Sequence, residues 1–168
     1  MSRNLDDLQP DFRAAVDLVL ADCRELGVEM RPFFTTRSPA EQARLWRQSR
    51  TWAQIQAAIE AMRNQGAPWL ASVLYDVGPQ HGKHATGALP GRSWHQWGLA
   101  VDCFLVGPQG EALWDSLEPG YDVYAQAVLK RGLHLGPTWD RVHIQARPGS
   151  VSMPWAVVEE AMQTRWGG

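Results

Sequence analysis

Two histidines and an aspartate stand where they could share one ion. His95 and Asp102 lie in Ser93-Trp94-His95-Gln96-Trp97-Gly98-Leu99-Ala100-Val101-Asp102, and His143 lies in Trp139-Asp140-Arg141-Val142-His143-Ile144. Two imidazoles and one carboxylate supply three protein ligands and leave a fourth position for water, the arrangement of a catalytic zinc site. Asp140, three residues before His143, adds a carboxylate placed to act as a base. Each residue also has an ordinary explanation. A His and an Asp seven apart need no metal, and a lone strand histidine can be a hydrogen-bonded core residue. Whether they make one site or four unrelated positions depends on the elements that carry them.

Gly98, between His95 and Asp102, allows a sharp backbone turn. Leu99 to Val106 is apolar and β-branched enough for a buried strand. On it Ala100 and Asp102 share one face, with Val101 and Cys103 on the other. Arg141 to Gln145 reads as a short strand with Arg141, His143 and Gln145 on one face and Val142 and Ile144 toward the core. Neighbouring strands would bring Asp102 and His143 into one pocket, with His95 reaching in from a loop. Trp94, Trp97 and Trp139 flank these residues and either wall the site or fill the core. His81, His84 and His134 have no partner at a telling spacing. His81 and His84 either line a cleft or are solvated.

The rest of the chain alternates helices with short strands. Leu5, Leu8, Phe12, Val16, Val19, Cys23 and Leu26 recur at three and four residues, one helix face stopped by Gly27. Val28 to Thr35 predicts a strand. Ser38-Pro39-Ala40-Glu41 is a helix start, with a capping serine, proline at the first helical position and a glutamate to close the capping box. Further helices are expected over Trp52 to Gln65, from Pro68 to Tyr75, over Pro119 to Arg131 and from Met153-Pro154 to Thr164. Val77 to Arg92, rich in Gly and Pro, reads as a long loop of the kind that often carries function. The pattern indicates an α+β fold.

The 168 residues carry a net charge of −2, which offers no general attraction to nucleic acid or an anionic membrane. The length suits a single domain, 1–168, with no separate second domain expected. Cys23 falls on the helix stripe and Cys103 faces away from Asp102. Both are expected to be reduced. No stretch approaches the roughly 18 apolar residues of a membrane span. The N-terminus lacks the basic and apolar regions of a signal peptide, so synthesis in the cytoplasm is expected.

Ser93-x-His95-x-x-Gly98-x-Ala100-x-Asp102 followed by Asp140-x-x-His143 resembles the M15 family of zinc peptidases. That family includes D-alanyl-D-alanine carboxypeptidases of the VanY type and L-alanyl-D-glutamate endopeptidases used as phage endolysins. Thr36-Arg37-Ser38-Pro39-Ala40-Glu41-Gln42 is similar to the family's upstream Arg-Ser-x-x-Glu-Gln segment. The resemblance implies zinc held by His95, Asp102 and His143, and Asp140 as general base. It also implies Arg37 as a catalytic and substrate-binding cation, and Ser93 as a contact either to the substrate or to the groups that hold the site. It further implies a small antiparallel sheet packed with helices, shared with the D,D-peptidases and the hedgehog signalling domain. The stretch Gly87 to Gly98 most resembles phage and prophage members.

The expected function is zinc-dependent hydrolysis of peptidoglycan stem peptides by an L-alanyl-D-glutamate endopeptidase endolysin. The expected protein is a monomer, bound stably to neither membrane nor nucleic acid, that reaches the wall after release through a holin. D-alanyl-D-alanine carboxypeptidase activity is the nearest alternative, and a non-catalytic zinc-containing binding module is a further one. A non-haem iron oxygenase also uses two His and one carboxylate. Its first His and its carboxylate usually stand two apart, on a many-stranded barrel, which fits this helix-rich chain poorly. Asp140 argues against a purely structural site, which has no use for a further carboxylate beside a ligand.

Overall fold

The computed structural model describes residues 1–168. The chain forms two compact units, Met1–Thr36 with Trp97–Gly149, and Arg37–Gln96 with Ser150–Gly168. The elements are α+β, as expected: six α-helices and one small antiparallel sheet.

The first unit holds the sheet. Its strands are β1 (Met30–Phe34), β2 (Ala100–Val106), β3 (Ala112–Leu113), β4 (His134–Leu135) and β5 (His143–Gln145). They run in the order β1-β2-β5-β4, with β3 paired to β2. The two-residue strands β3 and β4 were beyond sequence patterning, being too short to show a period. Pro32 sits on edge strand β1, where its missing N–H spoils no central ladder, and the register shifts beside it. Helices α1 (Pro10–Glu25) and α5 (Gly120–Lys130) cover one face. Phe12, Val16, Val19 and Cys23 of α1 meet Val101, Cys103 and Leu105 of β2, Tyr124 and Val128 of α5, and Ile144 of β5 in one core.

The helical stripe from Leu5 to Leu26 is not one helix. Leu5–Asp7 forms a separate 3-10 turn, and α1 begins at Pro10. Proline keeps the residue before it out of the helical region but suits the first helical position, so the chain breaks and restarts there. Leu26 lies beyond the last turn and is exposed.

The second unit is built of α2 (Pro39–Arg47), α3 (Trp52–Asn64), α4 (Pro68–Asp76) and α6 (Trp155–Trp166). The capping box read at Ser38 and Glu41 is formed, and Thr51 with Gln54 makes a second one for α3. Helix α4 has no side-chain cap of its own at Ala67. Instead the carboxylate of Glu159 on α6 accepts from the N–H groups of Trp69 and Leu70, where the helix dipole favours a negative charge. At the other end Arg47 donates to the carbonyls of Leu74 and Tyr75 at 2.9 and 3.0 Å. Residues 77 to 92 contain no helix or strand, as their glycines and prolines indicated.

Two contacts in the sheet unit give tests. The carboxylate of Asp22 on α1 accepts from Arg131 at 2.7 Å and from Lys130 at 3.1 Å. These bonds, Arg131 first, hold its pKa at about 2, against an ordinary 3.8. A lowered folded pKa means stability that is present above the ordinary value and lost as pH falls toward about 2. Asp22→Asn should therefore flatten the acid limb of a circular-dichroism titration below pH 4 and leave it steep in the wild type. Gly136 packs against the turn leading into β5: a Cβ there would lie 2.7 Å from the Asp140 carbonyl oxygen and 3.0 Å from the His143 Cβ. Gly136→Ala should lower unfolding stability by about 1–3 kcal/mol in denaturant titration, the range for overpacking a tight contact.

Candidate metal centre

Pairing of β2 with β5 is antiparallel and sets Asp102 directly opposite His143, with Val101 opposite Ile144 and Ala100 opposite Gln145. The neighbouring Cys103 N–H donates to the Val142 carbonyl at 2.9 Å. Asp102 and His143 are therefore a non-hydrogen-bonded pair, the type whose side chains come closest. Cys103 and Ile144 are fully buried on the opposite face, as alternation required. Both cysteines are free and buried, and burial raises the Cys103 thiol to about 12.

His143 and Asp102 meet at 2.9 Å, Nδ1 to Oδ1. The other ring nitrogen, Nε2, lies 2.9 Å from Gln145 Oε1. Burial pushes the His143 pKa down, but Asp102, Gln145 and the charge of Asp140 outweigh it, and the net shift is upward. Asp140 is half-buried at the head of the turn. Its N–H donates to the Pro137 carbonyl at 2.7 Å, and its carbonyl accepts from the His143 N–H at 3.2 Å. The strand expected from Arg141 begins only at His143: Arg141 lies in the turn before it and is bonded to the Ser116 carbonyl and to Asp122.

His95 sits in a single 3-10 turn, Trp94–Trp97, and is buried. The turn is held by Gln96, whose Oε1 accepts from the N–H groups of Gly91 at 2.8 Å and Ser93 at 3.4 Å. The Gln96 carbonyl accepts from Trp166 Nε1 at 3.1 Å. Arg92 ties the same loop to the C-terminal segment through the carbonyls of Val151 and Met153 and lies over the Trp155 ring. Gly98 follows at φ 68°, the left-handed turn expected between His95 and the strand. Each of His95, Asp102 and His143 offers one ligand atom, and these atoms all lie within 4.8 Å of one another.

Two imidazole nitrogens and one carboxylate oxygen, so gathered, form a donor set that fits a zinc ion. Arg37 donates through Nη1 to Gln42 Oε1 at 2.9 Å, and Gln42 Nε2 donates to the Ala88 carbonyl at 2.7 Å. This bridge anchors Arg37 to the long loop. Ser93 is half-buried just before the His95 turn. Trp94 is buried, whereas Trp139 is 76% exposed. His81, Lys83 and His84 are exposed on the loop, and His134 lies on β4 opposite Gln145. Sequence patterning placed Gln145 on the His143 face but not its bond to the ring. It also passed over Gln96 and Gly136, for which only the local Gly and amide positions gave a signal.

The family model described as VanY, D-alanyl-D-alanine carboxypeptidase, matches residues 6–121, more than half of the chain. The matched span contains Arg37, Ser93, His95 and Asp102 and ends before Asp140 and His143. Among solved structures the chain is similar to the Serratia marcescens L-Ala D-Glu endopeptidase ChiX. The identity is 20%, the coverage 86% of this chain and 84% of that one, and the TM-score 0.45. No curated protein matches. On the family match, the chain belongs to the VanY D-alanyl-D-alanine carboxypeptidase family of peptidases.

Proposed function

We propose that this chain is a zinc-dependent peptidase of peptidoglycan stem peptides, acting as an L-alanyl-D-glutamate endopeptidase. The observation that carries the metal reading is the gathering of His95, Asp102 and His143 within 4.8 Å in a member of a peptidase family. The likeness of Gly87 to Gly98 to phage and prophage members supports the endopeptidase and endolysin reading. The description of the matched family favours a second reading, removal of a terminal D-alanine.

His95, Asp102 and His143 would hold the ion. A zinc ion held there would supply Lewis-acid chemistry, lowering the pKa of water toward about 7 and polarising a carbonyl. Asp140 is the general base: its carboxylate takes the proton of the attacking water and returns it to the leaving amine. Its side chain is one methylene shorter than Glu. The turn from Pro137 to His143, closed by the bonds at Asp140, fixes where its carboxylate is presented. Arg37, steadied by Gln42, supplies positive charge to a substrate carbonyl or carboxylate. Ser93 offers a hydroxyl to the substrate.

The protein works as a monomer on the wall, after release from the cytoplasm through a holin. No helix is long and apolar enough to cross a membrane.

Mass spectrometry of peptidoglycan peptides incubated with the zinc-loaded protein tests this directly. Cleavage is expected between L-Ala and D-Glu and should cease when a zinc chelator is added. Loss of one terminal D-Ala instead would assign the carboxypeptidase reading. Cleavage that survives the chelator would overturn the metal mechanism. Asp140→Asn should keep zinc and lose about 10²–10⁴ in kcat, the usual contribution of a general base. Unchanged turnover in that variant would remove Asp140 from the mechanism.

A further inference from the structure

The side-chain amide of Gln145 has both ends engaged. Its Nε2 donates to the carbonyls of Arg147 at 2.7 Å and Gly149 at 3.0 Å. Backbone carbonyls only accept, so the amide cannot be turned over without setting its oxygen against two other oxygens. Oε1 must therefore face His143, where it lies 2.9 Å from Nε2. An amide oxygen also only accepts, which obliges the His143 Nε2 to carry a proton. The other ring nitrogen, Nδ1, is then the one left for a cation, and it is the nitrogen that lies beside Asp102 at 2.9 Å. His143 and Gln145 are two residues apart on β5, so strand alternation puts both side chains on one face. The residues that bind the amide, Arg147 and Gly149, belong to the segment just after the strand, with Gly149 at φ 64°.

We propose that Gln145 is a positioning residue. Its carbonyl oxygen, locked by the Arg147–Gly149 turn, holds the His143 ring in the orientation that presents Nδ1 as the zinc donor. Partners of this type fix the tautomer and the angle of a ligating histidine, and losing one typically weakens metal binding about 10–100-fold. The assignment rests on the proposed zinc site, and it adds a fourth residue to that site. It also gives the turn after β5 a task, because the turn decides which way the amide points.

Zinc affinity of the full chain, measured by competition with a chromophoric chelator, separates this from a merely structural role. Gln145→Leu removes acceptor and donors together and should weaken zinc binding about 10–100-fold. Gln145→Glu keeps an oxygen for the Nε2–H but loses both donors to the turn. Its second oxygen would face the two turn carbonyls, so it should lose some affinity, but less than Gln145→Leu. If Gln145 only braces the turn, the two variants lose the same amount, and that result overturns the proposal. Equal zinc affinity in wild type and Gln145→Leu also overturns it. The wild-type ring gives a check that needs no variant. Long-range proton–nitrogen NMR of the zinc-loaded protein should show the proton on His143 Nε2 and the metal on Nδ1. The reverse arrangement overturns the proposal. A wild type that takes up no zinc overturns the metal reading itself and this assignment with it, whereas an intact zinc site indifferent to Gln145 sinks this assignment alone.

Discussion

The register between β2 and β5 is the constraint on which the rest depends. Asp102 faces His143 because Val101 faces Ile144, and both of those apolar residues are fully buried. A slip of one residue would turn the carboxylate and the imidazole into the core and bring Val101 and Ile144 out of it. Burial of the apolar face therefore specifies the chemistry of the polar face. The strand pair is short, three residues on the β5 side, so the neighbours reinforce it. Ala146 donates to the Leu99 carbonyl at one end, and Gly136 to the His143 carbonyl on the other side of β5.

Polar satisfaction explains how groups so costly to bury stay in place. Asp102 and His143 are each largely shielded from water. Left alone, a buried carboxylate or imidazolium would be strongly disfavoured. Each instead faces a partner, and the ring nitrogens are both engaged. The same logic recurs in the helical unit. The carboxylate of Glu159 closes the start of α4 and the guanidinium of Arg47 closes its end. In both units, groups distant in sequence complete what local sequence leaves open.

Membership of the VanY family and the gathered His-Asp-His group bear on function from different sides. The family says which kind of reaction to look for. The site says which atoms could hold an ion there. The family model ends before Asp140 and His143, so these two rest on the sequence motif and on the strand geometry.

Much of this was legible in one dimension, because it rests on local chemistry. The capping box at Ser38 and Glu41, the glycine turn at Gly98 and the alternation that separates Asp102 from Cys103 follow from residue type and period. So does the choice of His95, Asp102, Asp140 and His143 as residues worth bringing together. Other features needed the folded chain. Pro10 broke a helical stripe that periodicity had run through from Leu5, since a steric veto outweighs an apolar pattern. Strands β3 and β4 exist only through their partners. Gly136 and Gln145 look ordinary in the sequence, and they matter because of one backbone oxygen at close range and one locked amide. Sequence determines which side chains are available and which face of its own element each occupies. Only tertiary structure decides which faces meet, because register and side-chain hydrogen bonding are set by contacts between segments far apart in the chain.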